Sequence, residues 1–173
     1  DHAGFNIVDF EFNDVNGGSI SVVVSPTRKP CSTKLNAIIE SELDQKLDTL
    51  EPWKDFSNRM LDNKILFNNL INELKSKGKK VAALGASTKG NVTLQTWGIT
   101  PDDILVVGDV NPDKDGSYTP GTWIPIKSED AVIDEYDAFV ILPWHFKNFF
   151  VKISKFKGKT LIFPLPTPEV VIP

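Results

Sequence analysis

The sequence predicts an α/β fold, because its second half alternates short apolar runs with segments of helical character. Four runs have the length of strands buried on both faces, at residues 80–84, 104–109, 138–142 and 160–163. Helices are expected between them, at residues 91–97, 128–135 and 144–155. This alternation indicates a Rossmann-like parallel sheet with helices on both faces, preceded by two helices and a β-hairpin.

The hairpin is predicted at the start of the chain. Residues 5–12 and 19–25 are apolar segments that flank a glycine-containing turn. Two strands alone are marginally stable, so we expect this hairpin to belong to a larger sheet that is partly missing from the chain.

Two helices are expected to follow. Ser32 or Thr33 can cap a helix over residues 33–48, whose apolar positions have helical spacing. A second helix is predicted over residues 52–77, with Gly78 as its C-cap. Its apolar stripe is interpreted as a core face and comprises Trp53, Phe56, Met60, Phe67, Leu70 and Leu74.

Composition excludes several classes of protein. With 40% hydrophobic and 24% charged residues among 173, the chain is typical of a globular protein. No apolar stretch approaches the length of a membrane span and no signal peptide is visible, so we expect a cytoplasmic protein with no membrane partner. A net charge of −4 argues against a nucleic acid partner. One cysteine and two histidines argue against a metal site.

The turn after the first strand of the α/β region is the first candidate site. Ligands of open parallel sheets bind outside the carboxyl ends of the strands. Here a G-x-S-x-x-G turn leads into a helix start, where amides, hydroxyls and one ammonium group can hold phosphate oxygens. The alternative is a tight strand-to-helix turn without a ligand. The candidate residues are Gly85, Ser87, Thr88, Lys89, Gly90 and Asn91.

Two further strand ends add candidates. Asp109 stands nineteen residues beyond Gly90, near the position where nucleotide-binding folds place an acid on ribose hydroxyls. The alternative is a turn-forming aspartate beside Asn111. Residues 113–121, which include Tyr118, form a polar loop long enough to cover a ligand.

The third strand ends in an aromatic and an imidazole side chain, Trp144 and His145. His145 is expected either to contact substrate or to begin a helix. Five lysines in the region after it are interpreted mainly as a solvated face. No catalytic triad, paired carboxylates or Cys/His nucleophile can be assembled, so the sequence predicts a binding site without catalytic residues.

Four motifs in order resemble the C-terminal domain of S-adenosylmethionine-dependent sugar C-methyltransferases. They are LGASTKGN at 84–91, GDVNP at 108–112, GSYTPG with IPI at 116–126, and LPWHFK at 142–147. The opening, AGF at 3–5 and NGGSI at 16–20, resembles the last strand pair of that family's methyltransferase domain. Asn16 and His145 depart from the family pattern, where histidine and asparagine respectively are expected.

The resemblance implies that residues 1–30 are the last hairpin of an upstream methyltransferase domain plus a linker, and residues 31–173 a nucleotide-sugar-binding domain with helices at 33–77 and a core at 79–173. It implies an enzyme of deoxysugar biosynthesis, in which a base removes a proton beside a keto carbon and the carbanion attacks the donor methyl. The parent enzyme is expected to bind S-adenosylmethionine. This fragment alone is expected to bind a nucleotide-linked sugar, such as a dTDP-sugar, without binding the methyl donor or methylating.

Two other functions remain open from the residues themselves. One is a stand-alone domain that binds a nucleotide or coenzyme A without catalysis. The other is the cofactor half of an NAD-dependent oxidoreductase, which Asp109 favours and which Ser87, at the second-glycine position, disfavours.

Overall fold

The computed structural model describes residues 3–173 as two compact units, the first ending at Arg59 and the second comprising Met60–Pro173. The domain boundary predicted at residues 30 and 31 concerns the architecture of a larger enzyme and stays a prediction. Within residues 3–173, no helix combines the length and the apolar character that crossing a membrane requires.

The first unit contains the hairpin predicted from the sequence. Strands β1 (Asn6–Asn13) and β2 (Ser19–Ser25) pair antiparallel, and a short 3-10 turn connects them. Helix α1 (Thr33–Asp44) follows. Its predicted N-cap Ser32 accepts a hydrogen bond from the Leu35 amide at 3.3 Å. The Ser32 hydroxyl also donates to the Asp9 carboxylate of β1 at 2.8 Å, so one side chain fixes both the start of α1 and its place beside the hairpin.

Helix α1 ends four residues before the predicted end at residue 48. Lys46 takes a positive φ of 56°, which a continuing α-helix does not allow. Of the apolar positions with helical spacing, Leu35 is buried, whereas Ile39 and Leu43 are exposed. The apolar face of α1 is therefore covered at its start only.

Helix α2 (Glu51–Ser76) begins in the first unit and continues into the second. The predicted core stripe is correct for its second half, where Phe67 is buried among other core residues. It is wrong for Trp53 and Phe56, which are 54% and 51% exposed. Helical spacing identifies an apolar face, but it does not say where along the helix the covering sheet ends.

Gly78 terminates α2 as predicted. Its φ of 70° lies in the left-handed region, its amide donates to Lys75 O at 2.9 Å, and the Lys79 amide donates to Leu74 O at 3.0 Å. These two bonds form a Schellman motif, which turns the chain directly into the first strand of the sheet.

The second unit is built on a six-stranded sheet. Its strands are β3 (Val81–Leu84), β4 (Val107–Asp109), β5 (Ile126–Ser128), β6 (Ala138–Ile141), β7 (Thr160–Phe163) and β8 (Glu169–Val171). The spatial order is β5-β4-β3-β6-β7-β8, in which β8 alone pairs antiparallel. The predicted Rossmann-like fold is confirmed. The short strands β5 and β8 were not predicted, because their residues are mostly exposed and give no apolar run.

Both faces of the sheet are covered, as the continuous apolar strands predict. Alternate residues of β3 enter different cores: Val81 and Ala83 join one cluster, Ala82 and Leu84 the other. Helices α2 and α3 (Thr88–Trp97) cover the first face, with Phe67 and Trp97 rings 5.0 Å apart. The second face is covered by α4 (Glu129–Ile133) and by the segment after β6.

The helix predicted at residues 144–155 is wrong. The segment forms a 3-10 turn at Trp144–Phe146, the four-residue helix α5 (Lys147–Phe150) and a second 3-10 turn at Ser154–Phe156. Two β-branched residues, Val151 and Ile153, have low helix propensity and follow α5 directly. The other predicted helices exist with shifted bounds, since α3 begins three residues earlier and α4 is shorter at both ends.

The outer side of β5 is covered by the chain itself. The Gly116 amide donates to Ile126 O at 3.1 Å, and the Ile126 amide donates to Ser117 O at 2.8 Å. One step further, the Thr119 amide donates to Ile124 O at 2.9 Å. The preceding loop therefore lies alongside this edge of the sheet as an extra, irregular strand.

We predict that Gly90→Ala destabilises the fold. A methyl group there would lie 2.6 Å from the Cβ of the buried Leu142, at the crossing of α3 over β6. Overpacking of this kind costs about 1–3 kcal/mol, which exceeds the roughly 1 kcal/mol that alanine gains in helix propensity. Urea denaturation should show a net loss, whereas Val92→Ala, an exposed position of the same helix, should change stability by less than about 0.5 kcal/mol. A neutral Gly90→Ala would contradict this close approach.

Candidate functional site

The turn between β3 and α3 lies at the point where the sheet order reverses. The neighbours of β3 are β4 on one side and β6 on the other, so the connections leave in opposite directions and open a crevice at the carboxyl ends. Gly85 begins this turn with a φ of 82°, and a Cβ there would lie 2.7 Å from Pro143 Cδ. Glycine is therefore required both for the backbone conformation and for the close approach of the β6 end.

Ser87 caps α3, which begins at Thr88. Its hydroxyl oxygen accepts from the Gly90 amide at 3.2 Å, and its carbonyl accepts from the Asn91 amide at 2.9 Å. Two of the amides expected to hold phosphate are thus already bonded within the turn. The Thr88 amide donates to no partner among the described residues, and the Ser87 and Thr88 hydroxyls keep a proton to donate.

Asp109, at the end of β4, is bonded to both neighbouring turns. Its Oδ2 accepts from the Ala86 amide at 2.7 Å and from Lys114 Nζ at 2.9 Å, and its Oδ1 accepts from the Asn111 amide at 2.9 Å. Lys114 Nζ also donates to Ala86 O at 3.0 Å. The carboxylate therefore holds the β3–α3 turn against the loop after β4. The sequence interpretation missed Lys114, although its place five residues after Asp109 is the signal that would have pointed to it.

The charge of Asp109 is stabilised where it lies. Burial alone would raise the pKa of this carboxyl group, which is only 7% exposed, but the Asn111 amide and the Lys114 ammonium group outweigh burial and lower the pKa below its ordinary value. Oδ1 accepts one described bond and has a second lone pair, so a ribose contact stays a prediction. Asn111 has a local role, because its Oδ1 accepts from the Asp113 amide and caps the next 3-10 turn.

The opposite wall of the crevice comes from the end of β6. His145 Nδ1 is buried and has no hydrogen-bond partner among residues 3–173, and the same is true of Asn91 Oδ1. Burial lowers the pKa of His145, and the positive charge of Lys89 lowers it further. The imidazole is therefore neutral at pH 7. Lys89 of one turn therefore lies near enough to His145 of the other for its charge to act on the imidazole.

An apolar cavity of about 520 Å³ opens beside the turn. Its lining includes Gly85 and Asp109 of the turns, together with Phe146, Phe149 and Phe156 from the segment after β6. Such a volume falls within the range of small-molecule sites. The sequence interpretation did not find this cavity, because it assigned Phe146 and Phe149 to one long helix at residues 144–155.

Both partners of one ion pair, Lys155 and Glu129, lie in the lining of this cavity. Lys155 Nζ donates to Glu129 Oε1, and the Glu129 carboxylate is nearly buried at the start of α4. Gly108 allows α4 this close to β4, since a Cβ there would lie 3.2 Å from Glu129 Cα. Lys155 was interpreted as part of a solvated face; it is exposed, with 39% of its side chain accessible, and its pairing with Glu129 adds a contact that the sequence did not predict.

Tyr118 is not brought to the crevice. It pairs with Pro125 just before β5 begins, so it lies toward the amino end of the strands, and its ring lies 6.3 Å from that of the exposed Trp123. The loop at residues 113–121 therefore reaches the carboxyl ends through Lys114, whereas Tyr118 lies away from them, and the expectation that the loop covers a ligand stays a prediction. Trp144 does lie at the crevice, directly after β6 and in edge contact with His145 at 5.9 Å.

Over residues 3–173, no group of three or more His, Cys, Asp or Glu side chains is arranged to hold a metal ion.

Comparison with known proteins identifies the family. Residues 14–166 match the family model described as the C-methyltransferase C-terminal domain. The chain therefore belongs to this family, and the resemblance found in the four motifs is confirmed at that level. It is also similar to the C-methyltransferase NovU of Streptomyces niveus, with 28% identity over 174 aligned residues. The alignment covers 97% of this chain and 41% of that relative, so the chain spans about two fifths of its length.

We predict that Asp109→Asn destabilises the protein at neutral pH by about 2–3 kcal/mol, since bonds to a charged acceptor are lost and an amide donor is placed against other donors. The folded pKa of Asp109 is lowered, so its stabilising effect is complete above the unfolded-state pKa of about 3.9 and is lost as the pH falls through the folded value. Urea denaturation from pH 7 to pH 3 should show the two proteins converging below about pH 4. Asp113→Asn, in the same loop, should parallel wild type, and a constant difference at all pH values would contradict the role of charge.

We predict that Lys89→Ala raises the pKa of His145, because it removes the positive charge that disfavours the imidazolium form. The pKa should remain below its ordinary value, since burial persists. NMR titration of the imidazole Hε1 signal, assigned through its loss in His145→Gln, measures this change. Lys152→Ala, an exposed lysine of the segment after β6, is the matched control, and equal shifts in both variants would argue against a specific effect of the Lys89 charge.

Proposed function

We propose that this chain is the C-terminal part of an S-adenosylmethionine-dependent sugar C-methyltransferase and that it binds the nucleotide-linked sugar in the crevice at the carboxyl ends of β3, β4 and β6. The observation that carries the proposal is the convergence there of a helix N-terminus, the Lys89 ammonium group and an apolar cavity. Family membership supports the reaction class. A dTDP-sugar is the substrate we favour.

The diphosphate is assigned to the start of α3. The Thr88 amide, the hydroxyls of Ser87 and Thr88, and the charge of Lys89 surround this helix end, whose dipole favours an anion. Anchoring the diphosphate fixes the position of the attached keto-sugar. A domain that acts in this way contributes to catalysis by lowering the entropic cost of alignment, without supplying a reacting group.

The sugar is assigned to the side of the crevice that holds His145 and Asn91. Both carry a buried polar atom without a partner among the described residues, and each such atom costs free energy until a ligand or water satisfies it. A sugar hydroxyl can donate to Asn91 Oδ1, and the neutral imidazole of His145 can donate or accept. These two side chains are our candidates for recognition of the sugar.

We expect the same crevice to favour a diphosphate over the methyl donor. S-adenosylmethionine carries a sulfonium and an ammonium group against one carboxylate, whereas a helix N-terminus with a lysine beside it favours ligands with net negative charge. We therefore propose that another part of the parent enzyme holds the donor and that this chain alone does not methylate. Placement in the cytoplasm and a role in deoxysugar biosynthesis belong to the same proposal.

We predict that Lys89→Ala weakens binding of dTDP-glucose and UDP-glucose by about tenfold to a hundredfold, the range expected for loss of one charge-assisted hydrogen bond. Isothermal titration calorimetry on the 173-residue chain measures this change. Lys152→Ala should bind within twofold of wild type.

Coenzyme A and NAD in the same titrations test the alternatives. Tighter binding of either one than of both nucleotide sugars would favour a cofactor-binding domain. If no nucleotide sugar binds, or if Lys89→Ala binds both within twofold of wild type, the crevice is not the sugar-nucleotide site.

A further inference from the structure

The apolar cavity beside the β3–α3 turn is adjacent to the predicted phosphate site but is not used by it. Gly85 and Asp109 belong to both, so the cavity adjoins the turn that leads into α3. We propose that this cavity seats the base of the nucleotide and that Glu129 and Lys155 recognise a base with a ring N–H between carbonyl groups. The proposal rests on the proposed function above.

The walls of the cavity have the chemistry of a stacking site. Phe146 and Phe149 contribute aromatic rings, and Val110 contributes an aliphatic side chain from the end of β4. All three are exposed although they are apolar, and Phe149 is 62% exposed. Exposed apolar side chains that converge on a concave surface are typical of a site that a ligand covers. A planar base has the shape and the polarisable faces that such walls bind.

The ion pair supplies the polar contacts. Glu129 and Lys155 both line the cavity, in surroundings that are otherwise mainly aromatic and aliphatic. Glu129 is nearly buried while the Lys155 side chain is 39% exposed, and their mutual contact uses one of the three donors of the lysine. The remaining lone pairs of the carboxylate and donors of the ammonium group are therefore available to a ligand.

The order of these groups favours one kind of base. A carboxylate accepts the ring N–H, and the neighbouring ammonium group donates to a carbonyl oxygen beside it. In uracil and thymine the N–H lies between two carbonyls, so the base matches the pair in either orientation. Guanine carries its ring N–H between a carbonyl and an amino group, so it matches the ion pair in one orientation only. In cytosine and adenine the corresponding ring nitrogen has no hydrogen to donate.

The test compares the 173-residue chain in titrations with UDP, 3-methyl-UDP and inorganic pyrophosphate. UDP should bind at least about tenfold tighter than pyrophosphate, because stacking adds to the phosphate contacts. Phe149→Ala should weaken UDP by about tenfold while leaving pyrophosphate within twofold. Since Phe149 is largely exposed, this variant is expected to fold.

Glu129→Gln tests recognition of the ring N–H. Wild type should discriminate against 3-methyl-UDP by at least about tenfold, and the variant should reduce this ratio to about threefold or less, since a neutral amide oxygen is the weaker acceptor. The matched control is Glu169→Gln, which disrupts the Lys147–Glu169 ion pair outside the cavity lining and should keep the wild-type ratio.

The outcomes separate the two proposals. If pyrophosphate binds but UDP binds no tighter, or if Phe149→Ala weakens both alike, the base does not occupy the cavity and only this inference is overturned. An undiminished ratio in Glu129→Gln removes Glu129 from base recognition. If neither UDP nor pyrophosphate binds, the proposed function is wrong, and the assignment of the base to the cavity is wrong with it.

Discussion

The carboxylate of Asp109 is the constraint on which the crevice depends. It lies at the end of β4, yet its bonds reach the Ala86 amide in the turn after β3 and the Asn111 amide in its own loop, with Lys114 joined to both Asp109 and Ala86. Two turns that are remote in sequence are therefore held together by one side chain. The groups that begin α3 can be positioned for a ligand because the turn before them cannot shift independently.

Close backbone approach decides the rest of the geometry. Gly85 admits the proline ring of Pro143, and Gly108 admits the start of α4, which places Glu129 beside the end of β4. At each glycine the space that a side chain would fill is taken by a neighbouring element. The ends of β3, β4 and β6 and the start of α4 therefore meet around one cavity. A larger residue at either glycine would separate walls that a bound molecule must touch simultaneously.

The sequence predicts those parts of the structure whose signal is local. The strand at Thr160–Phe163 was predicted with its observed bounds, and the turn after β3 was located because glycines and a capping serine are read directly from the chain. The prediction that Trp53 is part of the core was wrong, because helical spacing does not show where along a helix the covering residues end. The cavity could not be predicted from the sequence. Glu129 follows a strand that was not predicted and Lys155 is one of several lysines, so no sequence pattern indicates that the two side chains pair.

The loop that runs along β5 has a consequence for the behaviour of the protein in concentrated solution. An uncovered outer strand offers unpaired amides and carbonyls to any other chain, and is a common starting point for aggregation. Here the bonds between residues 116–119 and 124–126 occupy that position from within the same molecule. The loop thus protects the edge of the sheet, so that the sheet can end at a three-residue strand without pairing with another molecule.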